Sequence, residues 1–326
     1  MTRPDESGGS TARAAGVRLA SAVPHPSRRA FLAGALAAPA ASRAEPEEQT
    51  FIAGLVASAP RSNSGAPASS VENYWRSCDD CSRLAVRHIE VNNTFAQIVQ
   101  AFDSRVGEFQ DEMAKRKLRL VGLAMYAHSH DPAKRRETVD EHVRVGRFLK
   151  AVGARYINTL IAPGPNLGNG DEESYRKVDV NVVASALNEA GKRVKEETGI
   201  DVAYHAEQGD LREHIWDRLL EATDPRYLKL CADVGHFASR GVDPMAVYKK
   251  YNSRMVVTHL RDFAPSPEAG GAERVRFVPF GQGVIPLPAL VAYLRDVKFK
   301  GCAMGEGGGG NQAMREYMAG ELHLQL

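Results

Sequence analysis

The chain has 326 residues, 43% hydrophobic and 25% charged, the ordinary mix of a soluble globular protein. Its 42 Lys+Arg against 40 Asp+Glu leave a formal net charge of +2, which is no electrostatic footprint for nucleic acid. Four cysteines exclude a disulfide scaffold, and no apolar run approaches the ~20 residues that span a bilayer.

Residues 1–44 read as separate from the fold. Five arginines fall within residues 1–29, ending in Arg28-Arg29, and the short apolar run 30–41 leads to Ser42-Arg43-Ala44. A charged leader, a short apolar region and a small-residue end form an export-signal pattern. Arg28-Arg29 before Phe31-Leu32 resembles the bacterial twin-arginine signal, which carries folded proteins across a membrane. The expectation is a removable segment 1–44 handed to twin-arginine export machinery, a periplasmic or secreted location, and a mature domain 45–326. The 282 residues that remain are close to the ~250 of a (β/α)8 barrel.

From residue 51 onward, short β-rich runs alternate with longer amphipathic stretches. Strands are expected at 51–58, 88–92, 119–127, 156–161, 201–205, 228–233, 255–260 and 301–305. Most are apolar at consecutive positions, as strands buried on both faces are. Helices are expected at 72–87, 97–117, 132–152, 175–198, 211–222, 244–251, 288–296 and 311–321. Gly153 and Gly199 stand where helices end, and Asp243-Pro244 where one begins. Eight strand–helix pairs without room for a second core predict the α/β class and a single parallel (β/α)8 TIM barrel. An open doubly wound sheet has no support, because no Gly-x-Gly-x-x-Gly follows the first strand. The glycines at 307–310 read as a flexible loop, His142 and His214 as surface residues of helices, and the four cysteines as free or core thiols.

In such a barrel, chemistry gathers at the carboxyl ends of the strands. The second expected strand carries Glu90 and Asn92, the fifth ends in His205 followed by Glu207, and the sixth ends in Asp233 with His236 behind it. The seventh brings His259, Arg261 and Asp262, and the last brings Glu306. A single Asp or His at a strand end is more often a cap or a loop hydrogen bonder. Four successive strands ending this way point to a centre. Imidazole together with carboxylate oxygen suits one divalent ion, Mn, Co, Zn, Fe or Mg. Such an ion grips two vicinal substrate oxygens and stabilises the enediolate left when a base removes a carbon-bound proton.

Asp233-Val-Gly-His236, Gly241-Val-Asp-Pro244, Val257-Thr-His259-Leu-Arg-Asp262, Phe280-Gly-Gln-Gly283 and Gly301…Glu306 together resemble the sugar phosphate isomerase/epimerase superfamily. Its members have the xylose isomerase-like TIM barrel and include inosose dehydratases, ketose 3-epimerases and hydroxypyruvate isomerases. The similarity is strongest over 201–306. It implies one divalent metal held by His205, Asp233, His259 and Glu306. His236 matches a residue that contacts substrate oxygens or assists proton transfer, and Asp262 matches the acid of a His-x-Lys-Asp motif in which Arg261 replaces the usual lysine. Glu306, His236 and Glu207 are the expected proton carriers, and Glu90, Asn92, Arg261 and Asp262 the expected substrate contacts. Ketose 3-epimerases place a glutamate at the position of His205 and use it with the last-strand glutamate as a pair of bases. Here one of that pair is missing, and Glu207 points to the same side of the strand by period two.

The function expected is that of a metal-dependent isomerase, epimerase or lyase acting on a non-phosphorylated keto-sugar, polyol or keto-glycoside, since no phosphate nest is evident. One-base isomerisation or dehydration is favoured over symmetric epimerisation. Two other readings compete. A barrel that keeps the pocket and binds sugar without catalysis is one. An apurinic endonuclease-like hydrolase is the other, and it needs a three-metal cluster with further histidines, none of which lies between His259 and Glu306. A small carbohydrate is the expected partner, no nucleic acid is, and a homo-oligomer stays open.

Overall fold

Eight parallel strands close on themselves in the computed structural model, which describes residues 49–57, 71–91, 96–161, 163, 172–265 and 276–326 of the unit Pro46–Leu326. The expected signal segment and Asn92 lie outside the described residues. In chain order the elements are β1 (Ile52–Ala57), α1 (Val71–Arg83), β2 (His88–Val91), α2 (Ala96–Phe102), α3 (Val106–Lys115) and β3 (Arg119–Ala127). Then follow α4 (Arg135–Val152), β4 (Tyr156–Ile161), α5 (Glu172–Arg176), α6 (Val180–Thr198), β5 (Asp201–His205), α7 (Gln208–Arg212) and α8 (Ile215–Ala222). The chain continues through β6 (Leu228–Asp233), α9 (Val234–Ser239), α10 (Pro244–Tyr251), β7 (Met255–Leu260), β8 (Asp262–Ala264) and β9 (Arg276–Val278). It closes with α11 (Leu287–Asp296), β10 (Cys302–Gly305) and α12 (Gly310–Gly320).

Around the barrel the strands run β1-β10-β7-β6-β5-β4-β3-β2, each parallel to its neighbours. Val56, Val121, Tyr156, Ala203, Cys231, Val257, Cys302 and Met304 fill the interior, and a larger apolar layer lies between the strands and the helices. That two-sided burial is why the strands read as unbroken apolar runs. Gly153 and Gly199 end α4 and α6 in the left-handed region, and Asp243 caps α10 with Pro244 at its first position.

Several expected elements take a different form. The helix expected over 97–117 divides into α2 and α3, because the chain leaves helical geometry at Arg105. The turn brings Phe102 and Phe109 ring to ring at 5.6 Å, so both can enter the core. The helix expected over 211–222 divides at His214, which sits at φ 51 between α7 and α8. His142 is not a surface residue: it is fully buried, its ring bracketed by the Thr138 carbonyl at 2.7 Å and the Thr159 hydroxyl at 3.0 Å. The glycine run is more than a loop, since Gly309 and Gly310 hold positive φ and Gly310 opens α12. The antiparallel hairpin β8–β9 stands outside the barrel pairing. The four cysteines are buried free thiols.

Gly54 has a steric task in β1: a Cβ there would stand 2.2 Å from the His88 carbonyl oxygen of the neighbouring strand. Because backbone cannot step aside, Gly54→Ala is expected to destabilise the barrel by about 1–3 kcal/mol, measured by denaturant unfolding. An unchanged midpoint would contradict this packing.

Candidate metal centre

Parallel strands in register end together, and four of those ends meet. Asp233 pairs with His259 across β6 and β7, and the Glu306 N–H donates to the Leu260 carbonyl at 2.9 Å. One ligand atom from each of His205, Asp233, His259 and Glu306 lies within 4.8 Å of all the others. Three of the four are buried, and Glu306 is partly so.

Asp233 divides its two oxygens. Oδ1 caps α9 by accepting the His236 N–H at 2.8 Å. Oδ2 faces the centre, 3.7 Å from His205 Nε2 and 3.8 Å from His259 Nδ1.

His259 is held from behind. Its Nε2 lies 3.0 Å from Glu90 Oε2, which also accepts the Tyr156 hydroxyl at 2.7 Å, while Oε1 accepts Asn158 Nδ2 at 2.8 Å. A carboxylate only accepts, so Nε2 carries the hydrogen and Nδ1 turns to the centre, 2.8 Å from Glu306 Oε2. Glu90 was expected to touch substrate. The structure instead closes it off behind His259, at zero exposure, as an orienting partner.

Arg261 lies across the centre. Its Nε is 3.0 Å from Asp233 Oδ2, and its other end is paired with Glu306 Oε2. The guanidinium rests 4.3 Å from the Phe277 ring centroid, on the β8–β9 hairpin. The side chain passes over Gly235, where a Cβ would stand 2.7 Å from its Cδ. The glycine of the Asp-x-Gly-His sequence thus makes room for it. Burial alone would raise the Asp233 and Glu306 carboxyls, but Arg261 first, with the neighbouring imidazoles, holds both well below the usual carboxylate range. Burial works downward on His259, yet Cys231 and Glu90 beside it hold the imidazole well above its ordinary value.

Asp262, expected as a substrate contact, has both its oxygens engaged by backbone N–H groups. Its Oδ2 accepts the N–H groups of Gly281 and Gly283, both at 2.9 Å, and its Oδ1 those of Phe263 and Ile285. The acid of this motif therefore ties the Phe280–Ile285 loop to the end of β7, its acceptor positions filled by backbone.

His236 and Glu207 stand together on one side. His236 Nε2 is 3.5 Å from Glu207 Oε2 and 3.8 Å from Asp233 Oδ2, with the ring edge-on to His205 and Phe277. Burial lowers the His236 pKa. Glu207 keeps 22% of its side chain exposed, and Oε1 lies 3.9 Å from His205 Nδ1. Behind it, buried Asp210 accepts the Glu207 N–H at 2.9 Å, and burial pushes its carboxyl up to about 7.

Sequence reasoning missed Tyr156, Asn158, Asp210, Cys231 and Phe277 around this centre. Asn158, an amide within the buried strand β4 and two residues from Tyr156, carried a readable signal. Phe277 carried none, because no element was expected there.

The donor set fits a divalent cation. Asp233 Oδ2, the atom facing the centre, is buried without a hydrogen-bond partner, with His205 Nε2 and His259 Nδ1 3.7 and 3.8 Å away. Two imidazoles with two carboxylates suit a borderline-to-hard ion.

Residues 78–319 match the family model described as xylose isomerase-like TIM barrel. The chain belongs to this family. An inosose dehydratase from Bacillus cereus (strain AH820) is 27% identical over 183 residues, 51% of this chain and 61% of that relative. The chain spans 61% of that relative's length and 27% of the length of an inosose dehydratase from Clostridium tetani (strain Massachusetts / E88). A xylose isomerase-like TIM barrel protein from Mycobacterium smegmatis, in complex with magnesium, superposes with a TM-score of 0.61 at 17% identity, covering 84% of this chain and 96% of that one. The 3-keto-D-glucoside 4-epimerase from E. coli gives a TM-score of 0.54 at 16% identity, covering 82% and 98%. These two structures share the barrel fold of this xylose isomerase-like chain.

Glu90→Gln keeps the volume behind His259 but loses the charge that orients it. Metal affinity, measured by calorimetry with Mn²⁺, is expected to fall about 10–100-fold with the fold intact. An unchanged affinity would remove Glu90 from this role. Asp210 gives a pH signature. Its folded pKa of about 7 lies above an unfolded value of about 3.9. The stability it contributes is therefore complete below pH ~4 and is lost as pH rises through ~7. Thermal unfolding at pH 5 and pH 8 should show a smaller loss for Asp210→Asn than for the parent chain, and equal losses would contradict the assignment.

Proposed function

We propose that this chain is a metal-dependent enzyme that removes the proton beside the carbonyl of a non-phosphorylated keto-polyol or keto-sugar, acting as a dehydratase or a one-base isomerase. The observation that carries this reading is the asymmetry of the mouth. His236 and Glu207 stand together on one side, while Glu306 is engaged by Arg261 and His259.

A divalent ion held by His205, Asp233, His259 and Glu306 would supply Lewis-acid polarisation of adjacent carbonyl and hydroxyl oxygens. The chain's own groups supply the proton transfer. Burial lowers His236, so its ring is neutral near pH 7 and Nε2 can accept the carbon-bound proton. The Glu207 carboxylate 3.5 Å away stabilises the imidazolium that forms. In an elimination, the same imidazolium returns its proton to the departing hydroxyl, which leaves as water. Glu306, held far below the ordinary range by Arg261 despite its burial, is a poor base and a good ligand. Two-base epimerisation would need a second proton carrier on the opposite face, and His205 stands where relatives place one.

Two further points support the substrate class. Arg261 is already occupied by two carboxylates, which favours a neutral substrate over a phosphorylated one. The curated relatives named as inosose dehydratases act in name on a keto-polyol, in keeping with elimination. Arg28-Arg29 and the apolar run behind it support export to the periplasm, with residue 45 as the mature start. Protein sequencing of the periplasmic fraction checks that, and an intact leader retained in the cytoplasm would count against it.

The chemistry is tested by incubating metal-loaded protein in D₂O with a panel of keto-polyols and keto-sugars, followed by NMR. Deuterium exchange beside the carbonyl and release of an enone are expected, and His236→Asn should slow both about 10²–10⁴-fold. Absence of exchange with every member of the panel would sink the proposal.

A further inference from the structure

We propose that the barrel contains a second, deeper metal position, formed by His205, Cys231 and His259, that takes thiophilic cations such as Zn²⁺, Cd²⁺ or Cu⁺ in competition with the position at the rim. It rests on the same two metal-facing imidazoles as the function above, but adds a ligand that function does not use.

The geometry is set by strand register. Cys231 lies two residues before Asp233 on β6, so period two points both side chains into the barrel, the thiol one layer beneath the carboxylate. Its Cα is paired with that of His205 on one side and Val257 on the other, directly under His259. One ligand atom from each of His205, Cys231 and His259 lies within 4.8 Å of the other two, and all three residues are buried. Ligand atoms of a tetrahedral zinc stand roughly 3.5 Å apart, so a contraction on the order of an ångström brings the three together. To bind there His259 gives up its 2.8 Å contact with Glu306, whereas His205 Nδ1 has no hydrogen-bond partner to lose.

Two imidazoles with one sulfur and an open fourth position suit soft and borderline ions. Two imidazoles with two carboxylates suit Mg²⁺ and Mn²⁺ as well. The two positions share His205 and His259 and therefore exclude each other. On binding, the Cys231 Sγ–H proton passes to solvent and a sulfur–metal bond takes its place, with no change in oxidation state. A thiophilic ion seated there draws both imidazoles down from Asp233 and Glu306 and dismantles the rim position. The barrel would thus be blocked by Zn²⁺ or Cd²⁺ at levels at which Mg²⁺ or Mn²⁺ load it.

The test is spectroscopic and independent of turnover. Titration of the full chain with Co²⁺ is expected to give a near-ultraviolet sulfur-to-cobalt charge-transfer band that disappears in Cys231→Ser. The other three thiols remain in that variant as internal controls, so a band that persists would overturn the proposal. Cd²⁺ affinity should fall at least about tenfold in Cys231→Ser while Mn²⁺ affinity stays within about twofold; an equal loss of both would also overturn it. Should the variant fail to fold, cadmium-113 NMR of the unaltered chain decides the matter. A resonance in the thiolate-shifted range supports the deep position, and one in the range of nitrogen and oxygen ligands alone refutes it. Because none of these readouts needs a substrate, failure of the enzymatic reading and failure of the thiolate site are separable.

Discussion

Three carboxylates converge on one imidazole at the mouth of this barrel, and the arrangement of the mouth follows from how their charge is met. Glu90 lies 3.0 Å from Nε2 of His259, while Glu306 and Asp233 lie 2.8 and 3.8 Å from Nδ1. Like charges so close, and so far from bulk water, repel strongly unless cations and donors are built in. The chain supplies them from separate directions. Tyr156 and Asn158 donate to Glu90 from β4, Arg261 joins Asp233 to Glu306, and His259 stands between all three. Gly235 gives Arg261 room to cross, Phe277 covers its planar face, and Asp262 fastens the loop that follows the hairpin.

Arginine at 261, rather than lysine, matters for this balance. A guanidinium presents a rigid fork and reaches two carboxylates at once, where an ammonium is a point charge on a flexible stem. Spanning Asp233 and Glu306, it fixes their spacing and lowers the proton affinity of both. In the proposed reaction Glu306 would serve as a ligand more than a base. Proton handling would then fall to the other side of the mouth, where a buried imidazole and a partly exposed carboxylate sit together. The asymmetry of the proposed chemistry thus follows from which charges are already satisfied.

Much of this was legible in the residues. The period of the apolar runs marked the eight barrel strands, and the polar residues at their ends marked the rim. His205, Asp233, His259 and Glu306 could be picked out because each follows an apolar strand, and such strands in a closed parallel barrel end on one side. Glu90 and Asp262 stand out in the sequence as acids at strand ends, but not the histidine and the backbone N–H groups they meet. A carboxylate at a strand end looks the same in sequence whether it faces a ligand, a histidine or four backbone N–H groups. His142 was placed on the surface because its helix is amphipathic, while the hydrogen bonds that bury it come from Thr138 in that helix and Thr159 in another element.

By itself, the sequence determined the class of the fold, the family and the set of residues at the rim, because those depend on local period and on short motifs. The tertiary structure alone decided which nitrogen of His259 faces inward, which carboxylates Arg261 neutralises, and that Cys231 lies under the rim within reach of two imidazoles. Those outcomes depend on side chains from strands tens of residues apart meeting within 4.8 Å of one another. Their mutual distances are set by strand register and barrel closure, which no local pattern encodes.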